Sequence, residues 1–345
     1  MIDFVDKLQK DFDIELIQST RDIRGENTFN LDKKGNIRKL SIYETNLNTL
    51  DILLPIAESL VELTIRDGNI ERLIALKHFS KIEKLNLSFN PLLEEDISNI
   101  NYLEKIKILD LSATDIKNTH LLKNLINVEE LYLGTNPDIE EIKGLEKLEK
   151  LKIIDLQSSS ISNINDIYLS DNVYSINLKG TEIKEITGLD RFPNLVSLNL
   201  GGNRIVKIQG LDFLGKLKKL NLSSCWIEKI EGLTNLSNLE VLDLSNQEIE
   251  KIEGLEELVK LKELNLSENK LTKVENLDSL TQLEYLLLDC NSIDYFDTNF
   301  LQHLRRHPCL ISLCHNPIQE MDAVPIPKNI EIKFKASNYL PRTLF

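Results

Sequence analysis

A self-similar stretch recurs every 22 to 24 residues through most of this 345-residue chain. The four cleanest copies begin at Leu195, Leu217, Leu239 and Leu261, each 22 residues after the last. In Leu195-Val-Ser-Leu198-Asn-Leu200-Gly-Gly-Asn203-Arg-Ile205, apolar residues take positions 1, 4, 6 and 11, and they return at 14, 17 and 20. One copy of this length cannot bury its own apolar edge, so the copies must stack as a solenoid. A solenoid grows by adding copies, which frees a chain of this length from dividing into several ordinary domains.

Copies start at Ile37, Leu60, Ile82, Ile106, Val128, Leu151, Val173, Leu195, Leu217, Leu239, Leu261 and Leu283, and a degraded one runs through Ile311, Leu313, Asn316 and Ile318. Positions 3 to 7 of each copy predict a short strand. Two-residue alternation then sends 4 and 6 inward and 3, 5 and 7 outward. Neighbouring strands pair in parallel, so outward residues form rows about 4.8 Å apart. Asn holds position 9 at 90, 136, 203, 269, 291 and 316, where its amide can satisfy backbone groups as the chain leaves the strand. Thr45, Thr114, Ser159, Thr181, Cys225 and Gln247 fill that slot elsewhere and imply local looseness. Gly144, Gly188, Gly210, Gly232 and Gly254 share position 16, as a tight return turn requires.

The three-to-four spacing of Ile2, Val5, Leu8, Phe12, Leu16 and Ile17 predicts an amphipathic helix over residues 2–19. Thr28 to Leu31, the turn Lys33-Lys34-Gly35-Asn36 and Ile37 to Ile42 predict a hairpin leading into the first copy. Apolar–polar alternation from Ile330 to Phe334 predicts a last strand that covers the far edge. The expected division is a cap over 1–36, repeats over 37–307, and a degraded repeat with C-terminal cap over 308–345, all one continuous domain.

The run Ile-Glu-Gly-Leu-Thr-Asn-Leu-Ser-Asn-Leu-Glu-Val-Leu-Asp-Leu-Ser-Asn at 230–246, echoed at 208–224 and 252–269, resembles the leucine-rich repeat family. The resemblance covers about residues 37–320 and is to the short 22-residue class, shared by internalins and a regulatory subunit of a nuclear protein phosphatase. It implies an α/β solenoid, a horseshoe with a parallel concave sheet of about 13 short strands. The helix-plus-hairpin start resembles caps of prokaryotic cytosolic members, some of which continue into a GTPase; no Gly-x4-Gly-Lys-Ser/Thr motif occurs here.

Such an architecture implies binding rather than chemistry. The outward rows at positions 5 and 7 carry mostly Asn, Asp, Ser and Gly from 177 to 267, read as filler that keeps the sheet soluble. Function is expected where aromatic, apolar or charged residues interrupt it, because such side chains dominate interface energetics. Two clusters qualify: Tyr43, Arg66, Phe89 and Tyr132 near the N-terminus, and Tyr285, Leu287, Asp289 and Tyr295 near the C-terminus. Trp226, the single tryptophan, takes position 10, which is polar in most copies; it reads equally as an anchor or as a ring packed over a neighbouring turn.

His303, His307, Cys309, Cys314 and His315 invite a metal site by composition, but their spacing does not fit paired zinc ligands. No metal or cofactor is expected, nor is a Cys–His nucleophile pair, and the carboxylates fall at solvent positions of the repeat. The expected function is a non-catalytic scaffold that binds a protein on its concave face; the alternatives are a regulatory subunit of an enzyme such as a phosphatase, or the recognition arm of a defence or effector complex. A net charge of −14, with −17 carried by the first 300 residues, opposes nucleic acid and anionic membrane as partners. The acidic N-terminus lacks a signal-peptide pattern, no stretch nears the roughly 20 apolar residues of a membrane span, and four scattered cysteines suit a reducing compartment. The expectation is a cytoplasmic protein, monomeric on its own.

Overall fold

The computed structural model describes residues 2–20, 25–304, 308–321 and 325–334, and its chain falls into two compact bodies. The N-terminal body comprises residues 1–160 and 166–173, the C-terminal body residues 161–165 and 174–345. Both are built by the same rule.

In the N-terminal body, Ile37–Tyr43, Glu62–Arg66, Lys84–Asn86, Ile108–Asp110, Glu130–Tyr132 and Ile153–Asp155 pair in parallel, one copy to the next. In the C-terminal body the parallel series runs Ser175–Asn177, Ser197–Asn199, Lys219–Asn221, Val241–Asp243, Glu263–Asn265, Tyr285–Leu287, Cys309–Ser312 and Ile330–Lys333. The register is strict: position 4 meets position 4, as Leu198 meets Leu220 and Leu220 meets Leu242. Between strands the chain returns through 3₁₀ turns such as Asp51–Ile56, Ile74–His78 and Glu94–Tyr102. The α-helical part of the expected α/β solenoid is therefore confined, among the described residues, to the start of the chain.

The period-22 apolar set is the core. Leu195, Leu198, Leu200, Ile205, Ile208, Leu211 and Leu214 are each at most 1% exposed. At roughly 25 cal/mol per Å² of apolar surface, each such side chain stabilises the stack by about 1.5–3 kcal/mol before entropy is counted.

Most strands are three residues long rather than the five expected, and the residue at position 5 explains it. Its Asn or Asp Oδ1 accepts the backbone N–H of position 7 in eight of nine copies, from Asn86 with Ser88 (2.9 Å) to Asn265 with Ser267 (3.1 Å), the copy with Tyr132 being the exception. Position 8 then turns into the left-handed region, from Glu44 (φ 51°) through Phe89 (59°) and Ser224 (54°) to His315 (59°). That conformation costs an L-residue about 1 kcal/mol or more. It is offset because the turned N–H still reaches the next coil, as in Phe89 to Ser112 O (2.9 Å) and Ser224 to Ser245 O (2.8 Å).

Position 9 then closes the corner from inside. Asn203 Nδ2 donates to Leu178 O and Leu200 O (both 2.8 Å), while its Oδ1 accepts Ile183 N–H (3.0 Å). Asn90, Asn269, Asn291 and Asn316 repeat this three-point pattern. The substitutes are not loose, contrary to expectation. Gln247 reaches Leu222 O and accepts Ile227 N–H (3.0 Å), and the hydroxyls of Thr114 and Ser159 donate to Leu111 O (2.6 Å) and Leu156 O (2.8 Å). Glycine at position 16 is required by close approach. A Cβ on Gly210 or Gly232 would lie 2.2 or 2.4 Å from the carbonyl oxygen of Ile186 or Ile208 in the preceding coil, at φ 68° in both. In the next copy but one Asn276 (φ 60°) takes this place, and its Nδ2 donates to the equivalent oxygen, that of Ile252 (2.7 Å).

The N-terminal helix spans Ile2–Phe12, shorter than the 2–19 expected. Asp13 enters the left-handed region (φ 52°), and Gln9 caps the end, its carbonyl taking Ile14 N–H (3.1 Å) and its side chain Leu16 N–H (2.8 Å). Ile17–Gln18 then pairs in parallel with Thr28–Leu31, which forms the antiparallel hairpin with Ile37–Tyr43. Leu8 is fully buried and Val5 nearly so, whereas Phe12 is only half-buried. We therefore expect Leu8→Asp to lower stability by about 3 kcal/mol or more through burial of a charge, with Lys7→Asp near neutral. Thermal melting followed by circular dichroism checks this; equal melting of the two variants would refute the capping role of the helix.

Candidate functional site

Each body presents an open sheet face made by positions 3, 5 and 7, bordered by position 8. Over most of it the polar side chains serve the fold. Asp110 accepts Asn86 Nδ2 (2.9 Å) as well as Ser112 N–H, and the Ser223 and Ser245 hydroxyls donate to Asn221 and Asp243 (2.7 and 2.6 Å). These residues lock the backbone behind position 5, and the reading of them as solubilising filler is corrected by that bonding. The lock is absent at Ser41, Thr64, Tyr132 and Leu287, where position 5 is neither Asn nor Asp. Those interruptions fall beside the two clusters read from the sequence.

The structure assembles Tyr43, Arg66 and Phe89 on three successive copies, the first two on strands and Phe89 in the turn after its strand. Tyr43 and Arg66 are register partners, and the Tyr43 N–H is fixed by Asn27 Oδ1 (2.7 Å). The Arg66 guanidinium lies 4.7 Å from the centroid of the Phe89 ring, in cation–π range. Phe89 is 44% exposed, set at the rim by its left-handed backbone. Tyr132 is not part of this group: the strand Ile108–Asp110 intervenes between its own strand and Lys84–Asn86. Its hydroxyl donates to Glu130 Oε2 (2.8 Å), and burial first, then Glu130, pushes its pKa well above the usual tyrosine value. Half-buried Ile108 and Ile153 flank this strand at position 3, a row the sequence reading did not inspect. Their signal was legible as isoleucine at a position filled elsewhere in this body by Lys or Glu.

In the C-terminal body, Tyr285 is half-buried and pairs in register with Leu310. Leu287 is only 6% exposed and offers little contact area, since parallel neighbours cover it on both sides. Asp289 is engaged in the fold: Oδ1 accepts Ser312 Oγ–H (2.6 Å) and Cys314 N–H (2.7 Å). Tyr295 is 41% exposed on a separate short strand paired with Glu320–Met321. Trp226 is 59% exposed, so its ring is not covered by a neighbouring turn. Along its position-10 row Arg204 pairs with Glu182 (3.6 Å) and Lys270 with Glu248.

Cys309 and Cys314 are buried and His315 is exposed; His307 lies outside the described residues. Burial pushes the Cys309 thiol up to about 12, so it stays protonated. Among the described residues no three His, Cys, Asp or Glu side chains are grouped to hold a metal, and no helix is long and apolar enough to cross a membrane.

Coil geometry, strand register and the position-9 amide pattern coincide with a match of residues 216–257 to the family model for leucine-rich repeats (two copies). The chain has the leucine-rich repeat fold. Among solved structures it is similar to an internalin of Listeria monocytogenes, with 22% identity, 87% of each chain covered and a TM-score of 0.73. It is also similar to a chain of the mouse RP105/MD-1 complex (21% identity, 83% of this chain and 51% of that one, TM-score 0.67). A third likeness is to the TLR13–ssRNA13 complex (21%, 82% and 53%, TM-score 0.60). At these identities the likeness is one of fold. No curated protein sequence matches the chain.

Each body carries a charge ladder at position 2, also missed by the reading of rows 5 and 7. Glu83 binds Lys107 (2.7 Å) and Glu129 binds Lys152 (2.6 Å); in the other body Glu240 is clamped by Lys218 and Lys262 (both 2.8 Å). The two lysines, Lys218 foremost, hold the Glu240 carboxyl at about 2. A carboxyl depressed in the fold adds stability above its ordinary value of 4.5, and that stability is lost as pH falls towards 2. Glu240→Gln should therefore flatten the fall in stability between those values, by less than about 1 kcal/mol because the site is solvent-screened. Urea melts across that range test it, and parallel pH profiles for variant and wild type would contradict it.

Proposed function

We propose that this chain is a non-catalytic scaffold whose open, concave sheet face binds a protein partner, and that Tyr43, Arg66 and Phe89 form its anchor. The observation that carries the reading is the 4.7 Å Arg66–Phe89 stack beside Tyr43 on a face whose other polar groups are engaged by their own backbone. A pre-positioned guanidinium and ring lose little freedom on docking, and Arg and aromatic residues dominate binding hot spots. Tyr132, with Ile108 and Ile153, supplies further apolar area on the same body. Leu287 and Asp289 are withdrawn from this role, being buried and internally bonded, while Tyr285 and Trp226 remain as contacts of the C-terminal body.

The fold is compatible with more than one ligand class, since a neighbour is a complex with single-stranded RNA. Net charge favours a protein partner: −14 repels a phosphate backbone and an anionic bilayer. Four unpaired cysteines, Cys290 among them exposed, suit a cytoplasmic protein, monomeric until it meets its partner.

Immobilised wild type and a Tyr43→Ala/Arg66→Ala/Phe89→Ala variant, offered the same cell extract, test the reading. The triple variant should retain at least about tenfold less of the specifically bound protein at unchanged melting temperature. Capture by wild type should change less than about threefold between low and high salt, since aromatic burial is not screened. Equal capture by both forms would overturn the assignment of the anchor.

A further inference from the structure

The acidic chain carries a surface of opposite sign. At the start of the N-terminal body a cleft of about 960 Å³ is lined by Lys33, Lys34, Arg38, Lys39 and Lys81, against the acids Asp32 and Glu58. Asp32 is taken up by the hairpin turn. Its Oδ1 accepts the N–H groups of Lys34 (2.8 Å) and Asn36 (2.9 Å), its Oδ2 the Asn36 side chain (3.1 Å), and these bonds, with Asn36 foremost, hold its carboxyl below the usual range. Lys39 is matched by Glu62 (2.7 Å). Among the described residues Lys33, Lys34, Arg38 and Lys81 are all exposed and make no ion pair. Four unmatched cations therefore surround one free carboxylate, Glu58, in a chain whose net charge is −14.

The charge ladder shows what is missing. Along position 2 of this body carboxylate and ammonium alternate through Glu83, Lys107, Glu129 and Lys152. The two preceding members are Arg38 and Val61, so the place between Arg38 and Glu83 that would hold a side chain able to pair is held by valine, itself in the cleft wall. The field of Arg38 reaches Glu83 and, after Lys107, helps to hold its carboxyl low.

We propose that this cleft docks an acidic segment, a run of Asp or Glu side chains, of a protein partner. Its carboxylates complete the ladder against Arg38 and Lys81 and meet Lys33 and Lys34 at the hairpin. Charge complementarity selects this occupant, and the net charge of −14 selects a short one: a longer polyanion such as nucleic acid would run out past the cleft over an acidic chain. The site uses none of Tyr43, Arg66 and Phe89, so it can fail or succeed apart from the face proposed above.

Fluorescence anisotropy of labelled hexaglutamate with the full chain tests it, with hexaglutamine and a single-stranded DNA oligomer as comparison probes. Hexaglutamate should bind saturably at low ionic strength and be released in about 0.5 M salt, where screening acts within a few ångström. Arg38→Glu/Lys81→Glu should weaken it about tenfold or more, and Lys33→Gln/Lys34→Gln, on the exposed turn and safe for folding, by about threefold. No binding of hexaglutamate, equal binding of hexaglutamine, or full affinity in the turn variant would overturn the proposal. So would tighter binding of the DNA oligomer that the same substitutions abolish, which would make the cleft a nucleic-acid site.

Discussion

Each coil must turn a corner inside the stack, and the side chain at position 9 makes that corner affordable. Leaving the strand, the chain strands carbonyls of two adjacent coils and one N–H out of reach of water. Asn203 answers all three, binding Leu178 O, Leu200 O and Ile183 N–H, and the pattern recurs at Asn90, Asn269 and Asn291. Each group left unmade there would cost about 1–3 kcal/mol. Because the amide spans two coils, it also fixes their register, and the rest of the architecture inherits that register: strand on strand, leucine on leucine, glycine under carbonyl.

The outer face follows from the same corner. The left-handed residue at position 8 and the Asx lock from position 5 to position 7 are two halves of one backbone path. Where position 5 keeps Asn or Asp, the face is spent on holding that path. Where it does not, at Ser41, Thr64, Tyr132 and Leu287, side chains are released from the repeat. At the first two the released side chains are Tyr43 and Arg66, the latter against Phe89 at position 8 of the next copy; at the last the surface is covered again, with Leu287 6% exposed.

The apolar period made the coil, its register and the position-9 role legible before any coordinates, because burial and buried hydrogen bonding leave few residue choices. Gly210 and Gly232 were legible for the same reason, a carbonyl 2.2 to 2.4 Å from any added Cβ. The N-terminal helix was overdrawn because Ile14 and Ile17 continue the helical spacing, while Gln9 and Asp13 end it by hydrogen bonds that spacing does not register. The Asx lock was misread as filler, since a polar residue that bonds its own backbone looks the same in sequence as one that faces water. Rows at positions 2 and 3 went unread, and with them the charge ladder, Ile108 and Ile153. The grouping of Arg66 with Phe89, and the exclusion of Tyr132 from it, needed the strand order in space.

Amide hydrogen exchange at the N–H groups of Ile70, Ile183, Ile249 and Leu271 tests the central claim most directly. All four sit outside strands, yet their acceptors are the Oδ1 atoms of Asn90, Asn203, Asn269 and Asn291. If these amides hold the coils together, they exchange as slowly as the strand amides of Leu198 and Leu220, through global opening alone. Exchange at the rate of solvent-exposed turns would show that the corners open independently, and would contradict a stack locked by its position-9 side chains.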